Sequence, residues 1–446
     1  MNDFVDIANT PSEDSSAPLP RLWIIHRPEC EDVEILRLKD RLAGLGCEIF
    51  TASFDGRALP ALPSRQLRGV IFYFPTEIDT AILALATRIK STFRKSPPAL
   101  IMVAPASTPH NDLKIFDSVL RHPVHPAQLS SRLSSLFRLQ TMNHEFMLRQ
   151  RTLAAHFDLP AEPITTDLPN LKILFVGSPV PEFMSVLHAL DRSDADLTAA
   201  FTSFTAFDYL HSVKFDAVVV SGLNGEEPAY SIASTMRKNS RLYNVPVLVL
   251  SPEDDPELSS AAQLRGITDV IYASAETNEI SGRILELARG QRAYEHLRQA
   301  FSALNLGESV NANTGLFTEA AFHAHLDRVK LDAARRNRSV SVGVVRLSIA
   351  PEHGRISDAA FFHAKLEIER MIAGVIRVQD FAARLSADCI GIIFPDTKSD
   401  DVQSVLARLS DMIELTAFDD MDRKFQVTLT PHTIARQYDD RQSVSA

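Results

Sequence analysis

The sequence predicts an α/β protein: two doubly wound parallel units of the (βα)5 kind, followed by an α+β domain. Two observations carry the first part of that reading. Short apolar runs alternate with amphipathic helical stretches across 20–157, and the same alternation returns across 170–290; this is the pattern of βαβ units around a mostly parallel sheet. A break rich in Pro and Asp from Asp158 to Asn170, with Pro160, Pro163 and Pro169, separates the two passes, so they read as a loose internal duplication. The third observation is a change of rhythm from Thr314 onward to helix, strand, helix, hairpin, helix, strand. That order suggests an α+β sheet with its helices on one face.

The elements follow in chain order. Residues 1–19, with Pro11, Ser12, Glu13, Asp14, Ser15, Ser16 and Pro18, are too polar to build a core and are expected to be a disordered leader. The first unit, 20–157, takes strands at Leu22–His26, Cys47–Thr51, Val70–Phe74 and Ala99–Ala104, then Leu120–Val124. Its helices fall at Asp32–Leu45, Ile78–Phe93 and onward from Ala127. The second unit, 170–290, takes strands at Leu171–Val176, Asp216–Val220, Val245–Ser251 and Val270–Ala273. Its helices fall at Pro181–Leu190, Ala206–Ser212, Ser231–Asn239, Glu257–Arg265 and from Asn278.

The last of these helices continues through Gln291, Tyr294, Leu297, Ala300, Phe301 and Leu304. Apolar positions three and four apart make 291–310 a helical linker able to pair with another helix. Its first half reads equally well as a helix capping its own domain. In 311–446 the expected elements are a helix Thr318–Arg338, a strand Ser339–Ser348 and a helix Asp358–Ile376. A hairpin follows, Phe381–Leu385 and Cys389–Phe394 about the turn Ser386-Ala387-Asp388, then a helix Asp400–Thr416 and a strand Phe425–Thr430.

Bulk composition narrows the function. The 446 residues make room for about three domains at roughly 150 residues each. A net charge of −10 argues against nucleic acid or an anionic membrane as the main partner. No apolar stretch is long enough to insert in a membrane, and an acidic, Ser-rich start is no secretory signal. Cys30, Cys47 and Cys389 are odd in number and lack metal-ligand spacing, so they fit free thiols in a reducing cytoplasm.

The motif with chemical content is Arg377-Val-Gln-Asp380, just ahead of the hairpin. An Arg fork matches phosphate oxygens or the O6/N7 edge of guanine, and a carboxylate accepts from guanine N1–H and N2–H₂. A surface ion pair is the ordinary alternative for such a pair taken alone.

The first two units resemble response-regulator receiver domains, which implies flavodoxin-like folds. A working receiver holds Mg²⁺ with an acidic pair after its first strand and carries a phospho-accepting Asp after its third. In the second unit Gly177-Ser178-Pro179 stands for the acidic pair, and Ser221 occupies the phospho-acceptor position. Ser251 is kept after the fourth strand, and Ala273-Ser274 replaces the family's Lys-Pro. In the first unit Arg27-Pro28-Glu29 follows the first strand, the third strand ends Tyr73-Phe74-Pro75 with no carboxylate until Glu77, and His122-Pro123 takes the Lys-Pro place. The resemblance therefore implies docking and dimerisation modules rather than phospho-switches.

From Asn311-Ala-Asn-Thr-Gly-Leu316 onward the chain resembles a GGDEF, or diguanylate cyclase, domain. Arg346 stands where the family has its first-strand Asp, and Ser386-Ala387-Asp388-Cys389-Ile390 stands at the signature pentapeptide. Of the metal-binding carboxylates only Asp388 remains, as a turn former facing an Arg, so Ser386, Ala387, Asp388 and Arg346 mark a degenerate active site. By the same resemblance Arg377 and Asp380 form the family's inhibitory site for cyclic di-GMP, and Arg408 in Ala407-Arg408-Leu409 matches its second Arg. Arg384 is expected in a strand-face ion pair, and Arg335, Arg336 and Arg338 at a solvated helix end.

The order receiver, receiver, GGDEF is similar to PleD-type response regulators, and the lost catalytic residues are similar to their PopA-like branch. What this implies is a non-enzymatic cyclic di-GMP effector with no catalytic cofactor and no metal. It implies a homodimer through the receivers and recruitment of protein partners that deliver cell-cycle regulators to the ClpXP protease. It also implies a cytoplasmic protein, located at a cell pole. The alternatives are a residual diguanylate cyclase and a receiver scaffold that works without ligand.

Overall fold

Strands apolar on both faces must be covered on both, and the chain does this twice. A computed structural model describes residues 19–28, 33–56, 67–94, 96–105, 108–124, 126–157, 170–179, 181–191, 193–222, 227–252, 265–305, 307–336, 338–350, 357–420 and 425–438. The first sheet holds β1 (Arg21–His26), β2 (Glu48–Ser53), β3 (Gly69–Tyr73), β4 (Ala99–Ala104) and β5 (Ser118–Arg121), all parallel, in the order β2-β1-β3-β4-β5. Its helices are α1 (Val33–Gly44), α2 (Thr80–Thr92) and the long α3 (Pro126–Phe157).

The second sheet repeats the order with β6 (Leu171–Val176), β7 (Ala195–Ala200), β8 (Ala217–Ser221), β9 (Val247–Ser251) and β10 (Asp269–Tyr272). Around it lie α4 (Pro181–Leu190), α5 (Ser203–Ser212), α6 (Glu227–Lys238) and α7 (Thr277–Leu304). Both orders are the flavodoxin-like one. The edge strand β7 was not expected from the sequence. Its segment Ala195-Asp-Leu-Thr-Ala-Ala is poor in β-branched residues and half-exposed, so it has no buried run to announce it. The fifth strand of the first sheet also ends at Arg121 rather than Val124. The expected helix Glu257–Arg265 falls, but for its last residue, outside the described residues, as do the leader up to residue 18, Glu29 and Cys30.

The third sheet is ordered β12-β13-β11-β16 and is antiparallel throughout. Its strands are β11 (Val340–Ile349), β12 (Phe381–Arg384), β13 (Cys389–Pro395) and β16 (Leu429–Tyr438). Helices α8 (Glu319–Arg336), α9 (Asp358–Val375) and α10 (Ser399–Glu414) pack on it. One face is filled by Ile368 and Ile372 of α9 and Leu406, Leu409 and Ile413 of α10 against Val345, Ile390 and Ile392. Phe322 of α8 lies against Gly391 on the other face, so helices cover both faces instead of the one expected. The expected strand Phe425–Thr430 is two elements. The short β15 (Phe425–Val427) pairs with β14 (Phe418–Asp420), and the ten-residue β16 runs along the whole of β11.

The chain divides into two compact units. One holds both parallel sheets, residues 20–139 and 170–296; the other holds the antiparallel sheet with residues 140–157 and 297–438. Inside the first unit, β5 and α3 are tied to β10 and α7 by buried charges. Asp269 accepts from Gln128 at 2.7 Å, Arg132 at 2.9 Å and Arg283 at 3.1 Å. Glu286 accepts from the Ser118 hydroxyl at 2.7 Å and the Val119 amide at 3.0 Å, and Arg121 pairs with Glu279 at 2.9 Å. Burial would raise the Asp269 carboxyl, but Arg283 and Arg132 pull it below its ordinary value.

Candidate functional site

The Arg-x-x-Asp segment is built by the end of α9. That helix stops at Ile376, whose extended backbone still donates to Ile372, and residues 377–380 then turn into β12. The turn closes on itself. The Asp380 amide donates to the Arg377 carbonyl at 2.9 Å, and the Arg377 amide donates to Asp380 Oδ2 at 3.0 Å. Arg377 and Asp380 are thereby brought together, with different exposures. The Arg377 side chain is exposed and makes no hydrogen bond or ion pair among the described residues, whereas Asp380 is 6% exposed. Its Oδ1 is buried and has no hydrogen-bond partner among the described residues. Burial pushes the Asp380 carboxyl up to about 7, against the pull of Arg377, its backbone amide and Arg149.

Arg149 was not singled out in the sequence, and it holds this turn from α3. Its guanidinium is buried and donates to the carbonyls of Val378 at 3.3 Å, Gln379 at 3.0 Å and Asp380 at 3.3 Å. The same group lies 4.6 Å from the Phe301 ring, 5.1 Å from Phe381 and 5.6 Å from Phe317. Glu145, one helical turn back, accepts from Arg149 at 3.3 Å and shares 2.7 Å with His325 Nε2, while His325 Nδ1 meets the Thr152 hydroxyl at 3.2 Å. His325 and Phe317 sandwich Phe381, with ring centroids at 4.5 Å and 4.0 Å. The signal was present in the sequence. Glu145 and Arg149 are four apart on the stripe Met142, Phe146, Leu153 of a helix, and charges at core positions of a stripe need partners.

Arg408 is exposed on α10, beside Leu409 of the core shared by α9 and α10. No hydrogen bond or ion pair links it to Arg377, Asp380 or Asp411 among the described residues.

The hairpin turn is filled by its own atoms. Ser386 Oγ donates to Asp388 Oδ1 at 2.7 Å, the Asp388 carbonyl accepts from the Leu347 amide at 2.8 Å, and Arg346 Nε lies 3.8 Å from Asp388 Oδ2. Ser386 and Ala387 are exposed. Asp388 is thus a turn former facing an Arg. Among the described residues no group of three or more His, Cys, Asp or Glu is arranged to hold a metal ion.

Arg384 forks onto the buried Glu369, with 2.7 Å from Nε to Oε1, as expected of a strand-face ion pair. Lys365, missed in the sequence, joins it at 3.4 Å and donates to the Ser386 carbonyl. The solvated helix end needs correction. Arg335 is exposed, but Arg336 donates to Asp332 at 3.1 Å and Arg338 to Asp396 at 2.9 Å, both mostly buried ion pairs.

Ser221 ends β8 with its hydroxyl buried and without a hydrogen-bond partner among the described residues. A side chain at Gly177 would place its Cβ 2.5 Å from Ser221 Cβ, so a carboxylate at that one position would require the backbone or Ser221 to shift. In the first sheet the corresponding strand end carries Tyr73, whose hydroxyl donates to Glu34 at 2.5 Å and lies 3.2 Å from His122 Nδ1.

No family model matches the chain, and no curated protein matches it. Solved structures do. The GGDEF domain of DgcB from Caulobacter crescentus, in complex with c-di-GMP, aligns at 16% identity over 30% of this chain and 78% of that chain, with a TM-score of 0.27. The FimX GGDEF domain from Pseudomonas aeruginosa aligns at 17% identity over 31% and 84%, with a TM-score of 0.28. A response regulator from Thermotoga maritima aligns at 23% identity over 27% and 98%, with a TM-score of 0.25.

Proposed function

We propose that this chain is a non-enzymatic cyclic di-GMP effector that grips its ligand at Arg377, Asp380 and Arg408 and recruits protein partners in response. The observation that carries the reading is the state of the turn. Arg377 projects a guanidinium with no partner among the described residues, and Asp380 keeps one buried oxygen unpaired beside it. A guanine edge supplies N1–H and N2–H₂ donors to such an oxygen, while a phosphate or O6/N7 edge satisfies the fork. Arg408, exposed on the neighbouring helix, adds a second cation for a diphosphate ring.

Catalytic silence is supported by the hairpin turn. Mg²⁺ would meet one carboxylate, already engaged by Ser386, with the Arg346 cation 3.8 Å away; those residues do not fit the ion. We read the two parallel-sheet domains as receiver-like modules that no longer accept phosphate, because Ser221 and Tyr73 stand at the third-strand ends in place of an acceptor carboxylate. Their β5/α3 and β10/α7 faces are joined within one chain, so a homodimer would use other faces. No helix of the described residues is long and apolar enough to cross a membrane. Delivery of cell-cycle regulators to a protease at a cell pole belongs to the proposal through the sequence resemblance alone.

Two assays separate the readings. Equilibrium dialysis with labelled cyclic di-GMP should show binding by the wild type and a loss in Arg377→Gly; equal retention by both would remove the site assignment. Incubation with GTP and Mg²⁺ should give no turnover, and turnover abolished by Asp388→Ala would favour a residual cyclase. Normal partner recruitment by Arg377→Gly would favour a ligand-independent scaffold.

A further inference from the structure

A cation buried under a turn and bonded to three successive carbonyls fixes the shape of that turn. Arg149 does this from α3, a helix far upstream in sequence of the domain whose motif it holds. With cyclic di-GMP binding at the turn taken as the premise, we infer that Arg149 is the positioning residue for that site, and that the turn grips its ligand with release of one proton from Asp380 to solvent.

The geometry runs as a chain of contacts. Thr152 meets His325, His325 meets Glu145, Glu145 meets Arg149, and Arg149 caps the carbonyls of 378, 379 and 380. The charged groups facing Asp380 are Arg377 from its own turn and Arg149 and Glu145 from α3, with His325 of α8 one contact behind Glu145. Asp380 is enclosed with Oδ1 unpaired, and an enclosed carboxyl in that state holds its proton into the neutral range. A guanine edge brings donors, which only the ionised carboxylate accepts on both oxygens. Ligand and proton therefore compete for the same atom. Arg149 sets the terms of that competition, through the carbonyls it orders and through its charge.

The test uses the full chain, the wild type with Arg149→Met and Arg149→Lys, and cyclic di-GMP as probe. Wild-type affinity should rise about tenfold between pH 6 and pH 8, the change expected of one group titrating near 7. Arg149→Met should bind more weakly, and its pH midpoint should move up because the cation is gone. Arg149→Lys should also bind more weakly but keep a midpoint nearer the wild type. Amide exchange at 377 and 380 should speed up in Arg149→Met without ligand. An affinity flat from pH 6 to 8, or unchanged exchange at those two amides, overturns the inference. Failure of the wild type to bind at any pH would instead remove the ligand assignment, and the exchange measurement would still decide the role of Arg149. If Arg149→Met does not fold, Arg149→Lys and the wild-type pH profile carry the test.

Discussion

Asp380 carries two opposed demands, one on the fold and one on the ligand. Its folded carboxyl titrates near 7 against an ordinary value of 3.8. The folded state therefore binds the proton more tightly, and the stability this contributes is complete below about 3.8 and lost as the pH rises through about 7. Asp380→Asn keeps an acceptor for the Arg377 amide and removes the charge. It should leave thermal stability nearly unchanged at about pH 3.5 and raise it by up to roughly 4 kcal/mol at pH 8; the same shift at both pH values would mean the carboxyl is not the cause. At this scale the sequence was legible where chemistry and spacing coincide. Arg377 with Asp380 was named from residue types and spacing together with the family resemblance, and Asp388 with Arg346 through that resemblance alone. Arg149, Glu145 and His325 were not named, because they are held together by elements far apart in sequence. Lys365, four residues before its partner Glu369, was not either, because nothing in its spacing marks that pair as buried. A charged residue on a helix stripe says that it needs a partner without saying which one.

At the scale of elements, the hairpin β12–β13 is support for the site, and its packing explains its sequence. Gly391 faces α8, and a Cβ there would come within 2.6 Å of Leu385 Cδ1 and 3.0 Å of the Phe322 ring. Gly391→Ala should cost about 1–3 kcal/mol by overpacking, measured by urea denaturation; a neutral result would mean that α8 shifts freely against the sheet. Strands with continuous apolar runs, such as β3, β4 and β13, were legible because burial on both faces leaves an unbroken signature. The edge strand β7 and the outer half of β16 were not. Their side chains are partly exposed, and their strand character comes from the neighbour they pair with rather than from their own residues. The same limit applies to the helices over the third sheet. The sequence gives each helix its apolar stripe and leaves the choice of sheet face to the tertiary structure.

For the whole molecule, the duplicated parallel sheets and the antiparallel sheet were readable from rhythm, and the division of the two long helices was not. Residues 140–157 of α3 and the end of α7 count with the antiparallel sheet, where Phe146 meets Phe301 edge-on at 5.5 Å. Helical periodicity shows that a stripe exists but carries no mark of where its partner changes. The functional account rests on the Arg-x-x-Asp turn as a ligand site held by the far upstream helix segment 140–157, which packs in the same unit. Isothermal titration of the full chain with cyclic di-GMP at pH 8, wild type beside Arg377→Gly, tests this most directly. The account predicts measurable wild-type binding and at least about tenfold weaker binding by the variant, the loss expected when one charge-assisted contact is removed; equal affinity in the two proteins would contradict it.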